Sequence, residues 1–325
     1  LVSIDLARCV ALLSMFVAYT ASSPGPGAVL DFSEFLATAL FAMLIGVSSD
    51  LSADHMRFPV LFASSVVRAL AFICVGIWAD SWGAQVDIVL PYLGLLSLLM
   101  AVLVYLPTWL LGALTLIFWW LGPWAMTAFA EVGTHQTSPF LHTFLLWMFE
   151  GSTYRVFTML VWGCTGVVLI RLMRTWGLAG DVLGALVLTL ISGGLWWGAG
   201  QYFELFPYTG NRWEVGFDLL LAAAVICWCS LIARIFGNRE HLLDIFTVAG
   251  RMTLSLYLLQ IALLGLYASY APRFGFSSND DSWWMMSALI ILSLLFAYFW
   301  NRLLASTFAA RGPAETLLSW VSGRG

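Results

Sequence analysis

Charged side chains inside apolar segments are the first residues of this chain that could do chemistry. Asp5 and Arg8 lie three residues apart on one face of the first apolar run. Arg68 lies near the middle of the third run, and Arg251 opens the ninth directly after Gly250. A charge at the centre of a membrane helix costs at least about 2.5–3.5 kcal/mol, so each of these residues is a functional candidate.

These charges include three Arg and one Asp, which leaves a positive excess. Arg guanidinium groups bind phosphate oxygens through paired hydrogen bonds. We therefore predict an Asp5–Arg8 ion pair, and a pocket in which Arg8, Arg68 and Arg251 bind an anionic ligand from the cytosol. Ion pairing between helices, or snorkelling toward lipid head groups, is the alternative explanation. Glu315 is interpreted as an ordinary surface acid, so removing Asp5 should harm folding more than removing Glu315.

Two His residues could act as general bases near neutral pH. His135 and His142 lie in the segment before the sixth apolar run, where Glu131 and Glu150 are nearby. A His beside a carboxylate can accept a proton from a substrate hydroxyl or amine. The alternative is that both are solvated loop residues. No metal-ligand spacing, phosphate-binding Gly loop or nucleophile elbow is present, so no metal cofactor is expected.

The segments that must position these residues are long and apolar. Hydrophobic residues make up 61% of the 325, charged residues only 10%, and the mean hydropathy is +0.91. Continuous runs near 20 residues predict membrane helices, since a helix satisfies its own backbone hydrogen bonds in lipid. We predict an all-α integral membrane protein, a single domain over residues 1–325, with about ten spans: Val2–Ala21, Phe35–Val47, Phe58–Trp78, Ile88–Leu106, Trp109–Phe129, Val156–Ile170, Val182–Gly198, Val215–Ile235, Thr253–Ser269 and Trp283–Leu304.

The distribution of Arg predicts the orientation. With an inside N-terminus, the inner segments carry eight Arg (Arg57, Arg171, Arg174, Arg234, Arg239, Arg302, Arg311 and Arg324). The outer loops carry Arg155, Arg212 and Arg273. Because Arg and Lys concentrate in cytoplasmic loops, both termini should be cytoplasmic.

The charge composition also bears on partners and source. All 14 basic residues are Arg, which indicates a GC-rich genome and so the plasma membrane of a GC-rich bacterium. No basic tract points to nucleic acid, and membrane lipids are the expected surroundings. The first run reads as a span and not as a removable signal peptide. The chain starts at Leu1 without Met, and we expect further residues before it.

Three stretches carry a resemblance to a known family. The first span reads Ile4-Asp5-Leu6-Ala7-Arg8, followed by an Ala-Leu-rich helix. A later stretch reads Asp87-Ile88-Val89-Leu90-Pro91-Tyr92, and a third runs from Gly250-Arg251-Met252 through Tyr257 to Gln260. In this order they resemble the heparan-α-glucosaminide N-acetyltransferase-like membrane proteins and the related YeiB-like family of bacteria.

The resemblance implies a helical bundle that passes an acyl group from cytosolic acyl-CoA to a cell-envelope sugar or lipid. Relatives place a catalytic Asn or His near the end of the first helix, where this chain has Ala18 and Tyr19. If catalysis is retained, His135 or His142 takes that role, with Tyr19 as a further candidate. A non-catalytic subunit or scaffold of a larger membrane complex is the first alternative. A lipid or anion transporter is the second.

Overall fold

The protein is all α-helical in the computed structural model, which describes residues 1–21, 28–133, 138–151, 153–236, 243–275, 277, 279–304 and 307–322. The helices are α1 (Val2–Thr20), α2 (Ala28–Ala53), α3 (Phe58–Asp80), α4 (Leu90–Leu103), α5 (Thr108–Gly133), α6 (Pro139–Leu145), α7 (Val156–Gly198), α8 (Arg212–Ile235), α9 (Asp244–Arg251), α10 (Thr253–Tyr270), α11 (Trp283–Leu304) and α12 (Pro313–Val321). A π-helical turn, Leu146–Glu150, follows α6.

Eight of the described helices are long and apolar enough to cross a membrane. The longest, α7, is two antiparallel helices joined at Gly177, whose φ of 57° and ψ of −135° break the helix. Contacts with α8 show that the chain reverses its direction at Gly177. The Trp162 indole donates to the carbonyl of Val215, 3.2 Å away, and the Trp196 ring lies 5.8 Å from the ring of Phe217. Both ends of α7 therefore lie beside the same end of α8, as the sixth and seventh predicted spans require.

Two elements differ in length from the sequence prediction. The second span is longer than Phe35–Val47, because α2 runs over Ala28–Ala53. The fourth is shorter than Ile88–Leu106, because α4 has only 14 residues and so a length of about 21 Å. With α7 counted as two segments, the described residues contain nine membrane-length helical segments, and α4 is a shorter apolar helix at the position of the fourth predicted span. The multi-pass helical fold is confirmed.

Small residues bring α2 and α7 into backbone contact at the centre of the bundle. A Cβ on Gly46 would overlap the carbonyl oxygen of Gly163, and one on Gly166 would overlap that of Met43. Lipid gives little hydrophobic drive for helices to associate, so close van der Waals packing at small residues takes its place. This contact positions the C-terminal half of α2, which forms one wall of the cavity described below.

The two ends of the bundle are distinct. Leu1 and Leu318, near the two chain ends, line one cavity, and we call this end the terminal face. Three Arg side chains form ion pairs with buried Asp50 and Asp181 in the helices near it. Arg171 Nε lies 2.7 Å from Asp50 Oδ1 and Arg174 Nη1 lies 3.2 Å from its Oδ2, while Arg234 Nε lies 2.6 Å from Asp181 Oδ2. The opposite end, where α1 ends and α7 begins, is the far face.

Candidate functional site

A cavity of about 720 Å³ opens at the terminal face, and we call it the arginine cavity. Four Arg and two acids line it: Arg8, Arg68, Arg251, Arg311, Asp5 and Glu315. The three arginines predicted to bind an anion therefore lie around a single space, although they come from α1, α3 and α9. Arg311 and Glu315 were not predicted at this site, because they follow the last span, where hydropathy gives no signal.

The arginines owe their positions to contacts between α1, α2 and α9. Arg8 Nη1 lies 3.3 Å from Asp5 Oδ1, which is the predicted ion pair, and its Nη2 donates to the Ser48 hydroxyl at 2.9 Å. A Cβ on Gly250 would overlap the carbonyl oxygen of Asp5. Glycine therefore allows α9 to lie directly against α1, and this contact places Arg251 at the cavity.

The arginine cavity changes character along its depth. Near the terminal face its lining includes the charged groups and the hydroxyls of Ser48 and Ser52. Further in, apolar side chains from three helices line it: Phe41, Leu44, Ile45, Phe72, Leu90 and Leu93. The inner end of the cavity is lined by Val89, the residue directly before α4, and by Tyr257. It therefore suits a ligand with an anionic part and an apolar part.

A tyrosine cluster, made of Tyr19, Tyr154, Tyr208 and Tyr257, closes the inner end of the arginine cavity. The Tyr19 hydroxyl lies 2.5 Å from that of Tyr154 and donates to the Asp87 carbonyl at 3.1 Å. The Tyr257 hydroxyl accepts a hydrogen bond from the Val89 backbone N–H at 3.2 Å. Two tyrosines thus hold the loop that enters α4. Asp87 also accepts a short hydrogen bond from Thr153.

The tyrosines in the loops of this cluster are neutral at physiological pH. Burial raises the pKa of Tyr154 well above its usual value, and the nearby Tyr208 raises it further. Burial also raises the pKa of Tyr208, as do the acids around it, Glu34 first among them. Neutral phenols donate hydrogen bonds but are poor bases. The hydroxyl of Tyr19 is paired with one of these neutral groups, so its role as a base stays an untested prediction.

A second, water-sized cavity of about 20 Å³ lies beyond the tyrosine cluster, and we call it the far cavity. Glu34, Arg155, Glu214 and Asp218 line it, together with Tyr154 and Tyr208. Glu214 Oε2 accepts hydrogen bonds from the Thr209 hydroxyl at 2.5 Å and the Gly210 N–H at 2.6 Å. A third cavity of about 10 Å³, lined partly by Tyr19 and Val89, lies between the other two and shares residues with each. Small cavities thus continue the arginine cavity toward the far face.

Asp218 is a buried acid that the sequence analysis did not single out. Its side chain is 4% exposed, and its Oδ1 has no hydrogen-bond partner among the described residues. Asp218 falls inside the eighth predicted span, Val215–Ile235. Because a charged residue inside a span is a functional candidate, Asp218 was identifiable from the sequence in the same way as Asp5 and Arg8.

The other predicted residues have mixed outcomes. His135 lies outside the described residues. His142 lies in the last turn of α6 and lines none of the three cavities, so it is not brought to the described site. The Tyr92 ring packs against that of Tyr154, with the centroids 5.7 Å apart. Gln260 is fully buried in α10, and neither atom of its amide has a partner in the described part of the chain.

Comparison with known proteins adds one finding to this geometry. Residues 165–324 match the family described as "Protein of unknown function (DUF418)". The match covers just under half of the chain and includes the Gly250–Gln260 stretch at the arginine cavity. It supports a YeiB-like membrane family. No curated protein matches the chain.

Proposed function

We propose that this chain is an acyltransferase-like membrane protein that takes an acyl group from cytosolic acyl-CoA and passes it to a cell-envelope sugar or lipid. The observation that carries the proposal is the arginine cavity, which is cationic at its mouth and apolar at its inner end. It fits an anionic cofactor with an apolar group at its reactive end.

The mouth of the cavity supplies the recognition of phosphate. Its four Arg and two acids leave a net positive lining, and guanidinium groups bind phosphate in paired hydrogen bonds. The cavity volume of about 720 Å³ is within the usual range for ligand pockets, about 300–1,000 Å³. The excess of Arg in the segments near the terminal face supports a cytoplasmic mouth, on the side of the membrane where CoA is found.

The inner end of the cavity would hold the acyl group. Its apolar wall leads to Val89 and Tyr257, and the third cavity lies between this end and the far cavity. In the reaction, an acceptor hydroxyl or amine attacks the thioester carbonyl, the carbon–sulfur bond breaks, and CoA leaves with the proton from the acceptor. Asp218 of the far cavity is our candidate for the group that first takes this proton, with His135 as the alternative.

Ligand binding tests the proposal most directly. The purified protein in lipid nanodiscs should bind palmitoyl-CoA, and Arg68→Gln should weaken binding by about tenfold or more, because a hydrogen bond to a charged group contributes about 1.5–3 kcal/mol. Arg302→Gln is the matched control, since Arg302 is exposed in the last turn of α11 and does not line the cavity. Failure of palmitoyl-CoA to bind, or equal binding by both variants, would overturn the proposal.

A non-catalytic binding protein is the second candidate, and one observation favours it. The Tyr19–Tyr154 hydroxyl pair and the loop at Asp87 close the path between the arginine cavity and the far cavity. Release of free CoA thiol, followed colorimetrically with a cell-envelope extract as acceptor, separates the two functions. Thiol release that Asp218→Asn abolishes supports transfer. Tight acyl-CoA binding without thiol release supports the non-catalytic function.

A further inference from the structure

The C-terminal helix α12 lies at the mouth of the arginine cavity and has two different faces. Glu315, Leu318, Ser319 and Ser322 line the cavity. Their spacing of three, four and seven residues places them on one side of a helix. Leu317, Trp320 and Val321 lie on the other side and are 62%, 76% and 52% exposed. None of the residues of α12 is buried.

Polar contacts hold the inner face of α12 against the bundle. The Glu315 carboxylate accepts hydrogen bonds from the backbone N–H groups of Leu254, at 2.6 Å, and Ser255, at 3.1 Å, and a short one from the Ser255 hydroxyl. The Ser255 hydroxyl oxygen also accepts from the Ala314 N–H at 3.0 Å. The starts of α10 and α12 therefore meet at one carboxylate, which the positive ends of both helices stabilise. We call this contact the Glu315 latch.

Gly312 allows the chain to enter α12 in this arrangement. Its φ is 110°, a backbone conformation that favours glycine. A Cβ at this position would lie 2.9 Å from the Ser255 hydroxyl oxygen and would overlap the Glu315 carboxylate. The turn before α12 therefore depends on the same atoms as the latch.

The outer face of α12 lies close to where the last span leaves the membrane. Eight residues separate Leu304, the end of α11, from Pro313, so α12 begins within about 32 Å of the end of that span. Arg302, in the last turn of α11, is exposed just before this connection, and such a charge attracts anionic head groups. Trp is enriched at the boundary between lipid and water.

We propose that α12 is an interfacial helix whose outer face binds the lipid surface at the terminal face while its inner face covers part of the mouth of the arginine cavity. The partner of Leu317, Trp320 and Val321 is then the head-group layer of the bilayer itself. Opening of the latch lets α12 move away from the mouth along the membrane surface. The inference does not depend on which ligand the cavity binds.

Site-specific fluorescence tests the contact with lipid. Of the five Cys, only Cys74 is exposed, so Cys74→Ala provides a background for single labels. The environment-sensitive dye NBD is attached at Trp320→Cys on the outer face and at Ser319→Cys on the inner face. The protein is then placed in nanodiscs of phosphatidylcholine and phosphatidylglycerol with head-group-proximal spin-labelled lipid. The lipid should quench the dye at position 320 several-fold more than the dye at 319. Equal quenching at the two positions, or stronger quenching at 319, would overturn the proposal.

Thiol labelling tests whether the latch controls access. Ser52→Cys in the same background places a thiol in the cavity lining. Its reaction rate with a membrane-impermeant maleimide should rise by about tenfold in Glu315→Gln, because the latch loses hydrogen bonds to a charged acceptor. Asp80 is an exposed acid at the far-face end of α3, away from the mouth of the cavity. Asp80→Asn should therefore leave the reaction rate unchanged. An unchanged rate in a Glu315→Gln protein that elutes as the folded species would contradict control by the latch.

Discussion

Asp50 provides the sharpest test of how the terminal face is held together. Its carboxylate is 4% exposed and lies within ion-pair distance of Arg171 and Arg174. Arg171 also donates to the carbonyl oxygens of Leu106, at 2.9 Å, and Val104, at 2.5 Å, so the same side chain binds the C-terminal end of α4. Asp50 therefore connects α2, α4 and α7 through two guanidinium groups.

We expect Asp50→Asn to lower the free energy of unfolding by about 3 kcal/mol. Breaking a buried ion pair from one side costs about 3–5 kcal/mol, because the remaining charge loses its partner. Arg171 and Arg174 are 24% and 37% exposed, so water compensates part of this loss and the lower end applies. Asp54→Asn is the matched control, since Asp54 is 49% exposed and pairs with the same Arg174 at 2.9 Å. An exposed pair contributes about 0–1 kcal/mol.

Titration of the reconstituted protein with SDS, followed by circular dichroism, measures both variants on one scale. The midpoint should fall clearly for Asp50→Asn and hardly at all for Asp54→Asn. Equal shifts, or a larger shift for Asp54→Asn, would show that burial does not govern these pairs and would refute the reasoning.

Three further changes should have distinct effects in the same titration. Gly250→Ala should destabilise the protein strongly, because the added Cβ would overlap the Asp5 carbonyl oxygen. Gly112→Ala is the control and should be neutral or stabilising, because its Cβ would enter open space. Equal effects of the two changes would contradict the α1–α9 contact. Tyr257→Phe should cost about 1–3 kcal/mol, since it leaves the buried Val89 N–H without its acceptor, and an unchanged midpoint would mean that water replaces the phenol. Asp218→Asn should leave stability unchanged or raise it, because it replaces a buried carboxyl group whose Oδ1 has no partner in the described part of the chain. A marked loss of stability would reveal a structural role.

The helices and their approximate limits could be predicted from the sequence because hydropathy is a local property. Apolar runs such as Phe58–Trp78 and Trp283–Leu304 are long enough to span a bilayer wherever they lie in the fold. The reversal between the sixth and seventh spans was also predictable, since the polar residues between Ile170 and Val182 interrupt the apolar run. The cost of charge in lipid identified Asp5, Arg8, Arg68 and Arg251 as candidates for a common site, and all four line the arginine cavity.

The roles of the short polar segments depended on the tertiary structure. The interpretation of Glu315 as a surface acid was wrong, because packing of α12 against α10 makes it the centre of the latch. His142 was predicted as a base with Glu150 nearby, and the structure places it in α6, outside the linings of the three described cavities, so that role stays a prediction. Hydropathy and residue spacing act along the chain, whereas these contacts join residues about 60 or more positions apart. Close backbone approach at small residues such as Gly46 and Gly250 decides which helices pack against each other. Only the packed bundle shows which side chains this packing brings into one site.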